Sequence, residues 1–556
     1  IDMEHAKAFD DIYSRFIKSK VDYQDLVYEK KKLIMLTSMP SEINTLGNYL
    51  NLISEKNRHT RDFTLKNITT AIVEVIANFP VYRTYITRSG VKERDQRYIE
   101  QAISRAKREN PALSATVFDF LEDVLLLRYP EDFKEMDKME WLDFVMRFQQ
   151  MTGPVMAKGL EDTAFYVYNR FVSLNEVGGN PERFGTPLDT FHGQNIERTK
   201  CWPQAMIATS THDTKRSEDV KARLNVLSEE PEEWRQCLLR WSRINKRKKS
   251  LVDGQWVPDR NEEYFLYQTL IGIWPIHPMS ETEDEVFKKR IKDYMLKAIR
   301  EAKVNTSWIS PHIPYEEGLL KFIDTLLSSS PSNPFLKDFE ALQKRVAYFG
   351  MFNSLSQTLL KMTAPGIPDF YQGTEIWDFS LVDPDNRRPM DYGIRKNMLS
   401  ELKKEMIGFG SDLTAFSRRL LEEWLDGSIK LYIIFRSLHY RKENRQLFME
   451  GSYIPLVSDG SLEVHICAFA RQREEKVVLV VVPRFLTRLI NRIGEMPLGK
   501  QVWGDSRIIL PEGLDGDKFQ NIFTGEVLQR VEQDGENVLA LSEIFAHFPV
   551  AMLEKL

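Results

Sequence analysis

The stretch Met206-Ile-Ala-Thr-Ser-Thr-His-Asp-Thr-Lys-Arg-Ser-Glu-Asp219 decides how this chain is read. Its first six residues are short, apolar and β-branched in character, the composition of a buried strand. The polar Ser-Thr-His-Asp run at 210–213 follows directly and is expected to open a helix. Such a run, emerging from a buried strand, costs free energy unless it lines a cleft or is fully hydrogen-bonded. In a βα barrel the C-terminal ends of the strands form the catalytic face, which makes His212 and Asp213 candidate site residues. The same residue types also cap helices, so a capping role for Asp213 or Thr214 stands beside the catalytic one.

Two other segments have strand character: Phe-Pro-Val-Tyr-Arg-Thr-Tyr-Ile at 79–86 and Gly-Ile-Pro-Asp-Phe-Tyr at 366–371. Helical periodicity runs over 64–77, 94–107, 112–127 and 141–150, punctuated by Pro80, Gly90, Pro111, Pro130 and Gly153. Strands separated by helical stretches predict parallel βα units. After about Gly427 the texture changes. Segments 430–436, 463–470, 476–482 and 501–510 alternate or run apolar over strand lengths, which predicts an antiparallel β-sandwich. The expected fold is therefore α/β, a partial (β/α)8 barrel with large helical insertions and a C-terminal antiparallel β-sandwich domain. Its expected parts are a helical segment of the barrel region at 1–78 and a barrel strand with a helical insertion at 79–205. The last barrel strands, again with a helical insertion, follow at 206–426, and the β domain at 427–556. Ala8, Phe9, Ile12, Phe16 and Ile17 mark an amphipathic helix close behind Ile1, so further sequence is expected upstream.

Composition narrows the function classes. An apolar share of 42% and a charged share of 28% are ordinary for a soluble protein. A net charge of −5 gives no electrostatic reason to expect nucleic acid or an anionic membrane as partner. The basic run at 243–249 reads as a solvated helix face. The longest apolar run, at 477–483, is far short of the roughly 20 residues that span a bilayer. Cys201, Cys237 and Cys467 are widely spaced and form no metal-ligand pattern, which predicts a reducing, cytoplasmic setting.

Two further stretches carry chemistry. Residues 363–375 end in Tyr371, Gln372 and Glu375, and the loop at 383–392 holds Asp383, Arg387, Arg388 and two more carboxylates. Its arginines either fix carboxylates in a cleft by charge-assisted pairing or close a structural ion-pair loop. Lys-Gly-Leu-Glu-Asp-Thr-Ala-Phe-Tyr-Val-Tyr-Asn-Arg at 158–170 joins Glu161 and Asp162 to three aromatic rings. That is either a sugar site or the acidic start of a helix above a core of Phe165, Tyr166 and Tyr168.

Taken in this order, the stretches resemble the maltooligosyltrehalose synthases of the α-amylase superfamily. The resemblance also rests on Thr-Arg-Asp-Phe-Thr at 60–64, Phe-Pro-Val-Tyr-Arg-Thr at 79–84, Asn-Glu-Val-Gly-Gly at 175–179 and residues 198–203. His212-Asp-Thr is common to the wider superfamily; the extension through Asp219 and the block at 159–166 are specific to the synthases. The resemblance implies a retaining enzyme with two carboxylates about 5 Å apart, and an isomerase of the glucan 1-α-D-glucosylmutase type. It would convert the reducing-end α-1,4 linkage of a maltooligosaccharide to α,α-1,1. It makes Asp213 a third, catalytic carboxylate that stabilises the transition state. Its implied substrate-binding residues are His212, Lys215, Glu161, Asp162, Tyr371, Asp383 and Arg387. It implies no metal or organic cofactor, and functional pairing with a maltooligosyltrehalose trehalohydrolase. Nucleophile and acid/base are expected upstream of Ile1, so the chain by itself is expected to be inactive. The alternatives are a hydrolytic α-amylase relative and a non-catalytic carbohydrate-binding fragment.

Overall fold

The computed structural model describes residues 1–131, 133–330, 332–514 and 516–556. By compactness they form two units: Ile1–Lys18, Arg170–Leu296 and Pro314–Leu556 make one, Ser19–Asn169 and Lys297–Ile313 the other. This division does not follow the boundaries expected at 78, 205 and 426. The boundaries at 78 and 205 stand where predicted strands begin and that at 426 where the β texture begins, and neither signal reports which segments pack together.

The second unit is helical. Helices Tyr23–Thr37, Pro40–Glu55, Leu65–Ala77, Glu93–Glu109, Ala115–Leu125 and Glu135–Met156 pool their apolar stripes into one core around Met35, Leu46, Ile72, Ile103, Phe118 and Phe148. All four helices predicted in this region from periodicity are present. Residues 79–86 are not a strand. They are aromatic and β-branched, but they find no backbone ladder. Instead Phe79 O accepts the buried Lys31 ammonium at 2.8 Å, and Gln149 closes on both Ile86 N and O, at 2.7 and 3.1 Å. Backbone groups satisfied by side chains need no sheet.

In the first unit the strands predicted at 206 and 366 do pair, in parallel, over Met206–Ile207 and Ile367–Pro368. Each is only two residues long. The helix Glu218–Val226 follows, beginning five residues beyond Asp213, so 212–217 is loop rather than helix start. Two glycines let this helix sit deep. A Cβ at Gly272 would fall 2.7 Å from Val220, and one at Gly350 2.8 Å from the Arg223 backbone. The long helix Pro334–Thr363 that carries Gly350 starts with proline in its first turn and Asn333 as N-cap.

The C-terminal residues form two antiparallel sheets. The six-stranded sheet contains Ile466–Arg473 and Lys476–Pro483, paired over their whole length, and the four-stranded sheet contains Arg507–Leu510. Side chains from both sheets, among them Ala468, Leu479, Ile508 and Leu539, share one core. Segment 430–436, predicted as a strand, lies inside the helix Ser428–Glu443. Its run Lys-Leu-Tyr-Ile-Ile is buried throughout, and a short continuous apolar run does not separate a strand from a buried helix. Strands begin only at Ser452.

Candidate functional site

The turn at 211–214 is built by its own threonines. Thr211 Oγ1 accepts the backbone N–H groups of Asp213 and Thr214, both at 3.2 Å. Thr214 Oγ1 accepts from Thr211 N at 3.1 Å and donates to Thr211 O at 3.0 Å. Local side-chain bonds of this kind hold a non-helical turn without any help from a sheet. The result is that His212 and Asp213 stand exposed while the residues on both sides are tied down.

The next residues descend into the protein. Lys215 is 3% exposed, its N–H donating to Glu176 at 2.8 Å and its carbonyl accepting from Val382 at 3.1 Å. Ser217 N donates to Ser380 O at 3.0 Å, so 215–217 is zipped onto 380–382. Below lies a buried charge cluster. Lys430 reaches Glu218 at 2.8 Å and Asp219 at 2.9 Å, and Lys361 reaches Glu218 at 2.9 Å. Thr209 donates to the Glu218 carboxylate, and Ser210 Oγ accepts from Glu218 N at 2.8 Å. Burial alone would raise the Glu218 carboxyl, but Lys430 and Lys361 hold it well below the usual range, at about 2.

A second loop meets the first through one residue. Asn386, buried, donates its side-chain amide to the carbonyls of Thr211 at 3.4 Å and His212 at 3.0 Å. Its own carbonyl accepts from Tyr371 Oη at 3.2 Å and Gln372 Nε2 at 3.3 Å. Asn386 is held in turn by its neighbour Asp385, whose carboxylate takes Arg290 in a two-pronged pair at 2.8 Å and the N–H of Leu381 at 2.8 Å. Burial works against ionising Asp385, yet Arg290 and Arg388 keep its carboxyl below the ordinary value. Asp383 and Arg387 pair with each other at 3.2 Å, 43% and 53% exposed.

His212, Asp213, Tyr371, Asp383 and Arg387 thus belong to one pair of joined loops, with Lys215 directly beneath. Glu161 and Asp162 belong to the other compact unit. There Glu161 is 5% exposed and accepts from Tyr82 Oη, and Asp162 pairs with Lys158 at 2.6 Å. Phe165, Tyr166 and Tyr168 are core. Gly159 in that block is required by packing, since a Cβ would fall 2.9 Å from Lys31 Cα. The sequence does not by itself single out Asn386, Arg290, Lys361 and Lys430, and it marks Glu176 only as part of the stretch at 175–179. Their partners are distant in sequence, and only the Asp-Pro-Asp-Asn-Arg-Arg run itself could have drawn attention to Asn386.

Comparison with known proteins bears on this arrangement. No family profile matches the chain. A Mycobacterium tuberculosis protein, named provisionally as a maltooligosyl trehalose synthase, is 33% identical over 408 residues, 73% of this chain and 45% of that protein. The chain therefore spans about half the length of the curated relatives it matches. The solved maltooligosyltrehalose synthase of Arthrobacter ramosus superposes on 100% of this chain and 62% of its own, with TM-score 0.78 and 28% identity. A hypothetical maltooligosyl trehalose synthase of Sulfolobus tokodaii covers 99% of this chain and 60% of its own, at TM-score 0.68 and 26% identity. By sequence and by fold together, this chain belongs to the maltooligosyltrehalose synthase family.

Proposed function

We propose that this chain forms the sugar-gripping part of a maltooligosyltrehalose synthase. The reaction is an intramolecular transglycosylation that turns the reducing-end α-1,4 linkage of a maltooligosaccharide into α,α-1,1, an isomerisation. Asp213 is the carboxylate that stabilises the cation-like transition state, and His212 contacts the same sugar. Tyr371, Asp383 and Arg387 line the cleft, and Lys215 supports it from below. In this reading the short parallel strands are the last strands of a (β/α)8 barrel of the α-amylase superfamily, and the terminal sheets are a β-sandwich. A cytoplasmic setting, maltooligosaccharide as partner and a trehalose-releasing hydrolase acting on the product complete it.

One observation carries the proposal: an exposed His212–Asp213 pair, on a turn held by threonine bonds and tied through Asn386 to the Tyr371 loop, in a chain of this family. A charge that meets its best partner only in the transition state accelerates the reaction rather than binding the ground state. The test is an active polypeptide that includes this sequence, supplied with maltopentaose. Reducing ends that disappear without release of glucose support transglycosylation. Reducing ends that increase indicate a hydrolase, and unchanged reducing ends with saturable binding indicate a binding fragment.

A further inference from the structure

A cleft of about 540 Å³ opens in the first unit between residues 273–290 and residues 376–388, with Leu425 and Asp426 at one end. That volume falls in the range of roughly 300–1,000 Å³ typical of small-molecule sites. Its walls are mainly apolar, with Phe287, Trp377 and Phe379 among them. Trp377 spends its indole N–H on the Trp424 carbonyl at 2.7 Å, leaving the apolar body of the ring. Phe379 has Arg223 stacked on it at 3.5 Å, and Phe287 packs edge-on to Trp274.

Polar groups sit among these rings. Arg388 engages Asp385 through Nε alone, at 2.9 Å to the carbonyl and 3.1 Å to the carboxylate. Among the described residues its two terminal NH₂ groups have no partner. The Asp378 carboxylate is fixed by Ser380 N and Oγ at 3.2 and 2.7 Å, and Asp426 accepts from Ser428 N at 2.8 Å. Burial pushes the Asp378 carboxyl up to about 6, so near neutral pH it accepts and, for part of the population, donates. Arg290 also lines the cleft, but its charge is matched by Asp385. Glu283, Asp378 and Asp426 then outnumber Arg388, which disfavours an anion. What fits is a neutral ligand with apolar faces and a rim of hydroxyls.

We propose that this cleft is a second sugar-binding site, taking a short α-glucan segment with its ring faces on Trp377 and Phe379 and its hydroxyls on Arg388, Asp378 and Asp426. The choice of α-glucan rests on the functional reading above; the existence of a neutral, hydroxylated ligand does not. The site adjoins the first one along the chain, since Asp385 anchors Arg290 while Asn386, next to it, anchors His212.

Calorimetric titration of the whole chain with maltopentaose tests this. Wild type should show two classes of site. Val286 and Thr282 are exposed and line the cleft, so Val286→Trp and Thr282→Trp should each fill it and leave the thermal transition unchanged. Each should remove one class of site or weaken it at least 10-fold, and Asp213→Ala should leave that class intact. Isotherms of both tryptophan variants that superimpose on wild type overturn the proposal, as does wild type that binds no maltopentaose or that loses its only sites in Asp213→Ala. Tryptophan variants that lose a class while Asp213→Ala changes nothing uphold the cleft, because a charge that acts in the transition state need not contribute to ground-state binding.

Discussion

Ser210 to Asp219 passes through two environments within ten residues. At the outer end, His212 and Asp213 are exposed on a turn made by two threonines. At the inner end, Glu218 and Asp219 are buried against Lys361 and Lys430. Both ends contribute to the sequence resemblance, but physically they do different work. The outer pair is displayed, and its side chains are available for chemistry. The inner pair fixes the start of a helix, so that the turn above it has one position. A motif can therefore be diagnostic of a family over its whole length while only a fraction of it is displayed to solvent.

Removing the inner cation should have the largest effect. Lys430→Met leaves Glu218 and Asp219 buried without the ammonium they share, and breaking a buried pair in this way costs about 3–5 kcal/mol. Chemical denaturation followed by tryptophan fluorescence should show that loss in the first unit's transition. The pH dependence is a second handle. Because the folded Glu218 carboxyl is depressed from 4.5 to about 2, its contribution is fully present above pH about 4.5 and is lost as pH falls toward about 2. In Lys430→Met that acid-dependent loss should shrink. Unchanged stability in this variant would show that the cluster does not hold the turn.

Asp213→Asn should show the opposite pattern. An exposed substitution shifts stability by no more than about 0.5 kcal/mol. Loss of a transition-state charge should lower kcat about 100-fold, close to 2.7 kcal/mol, with little change in KM. Steady-state kinetics beside a melting curve checks both halves. A fall in melting temperature as large as that of Lys430→Met would erase the contrast between the two ends.

Much of this was legible in the sequence, and the failures share a cause. The two parallel strands and the polar turn between strand and helix follow from local composition. The helices of the second unit follow from periodicity. Residues 430–436 were misread because burial on all sides removes the alternation that distinguishes strand from helix. Residues 79–86 were misread because strand-like composition does not reveal that Lys31 and Gln149 satisfy the backbone. Asn386 was overlooked because its role lies in four bonds to residues 14 to 175 positions away. Long-range polar contacts have no local signature.

Asn386 makes a sharper test, since it joins neither end of the motif to a substrate but sets the aim of one. Asn386→Ala removes the donor to the Thr211 and His212 carbonyls, a loss of about 1–2 kcal/mol in stability for partly buried acceptors. If it positions the turn, kcat should fall several-fold beyond what that destabilisation explains, and Asn386→Gln should recover little because its longer side chain misplaces the amide. Activity that tracks stability alone would reduce Asn386 to packing.

The smallest effect is expected at Arg387. Its pairing with Asp383 at 3.2 Å is half open to water, and exposed pairs contribute between about 0 and 1 kcal/mol. Arg387→Ala should therefore leave the melting temperature within error of wild type. What distinguishes a closed structural loop from a sugar-contacting one is then the kinetics. A guanidinium that touches substrate in ground and transition state alike contributes uniform binding, so its loss should raise KM about 3- to 10-fold and leave kcat unchanged. A drop in stability without a change in KM would mean that the Asp383–Arg387 pair closes its own loop and nothing more, leaving the exposed His212–Asp213 pair as the candidate for sugar contact.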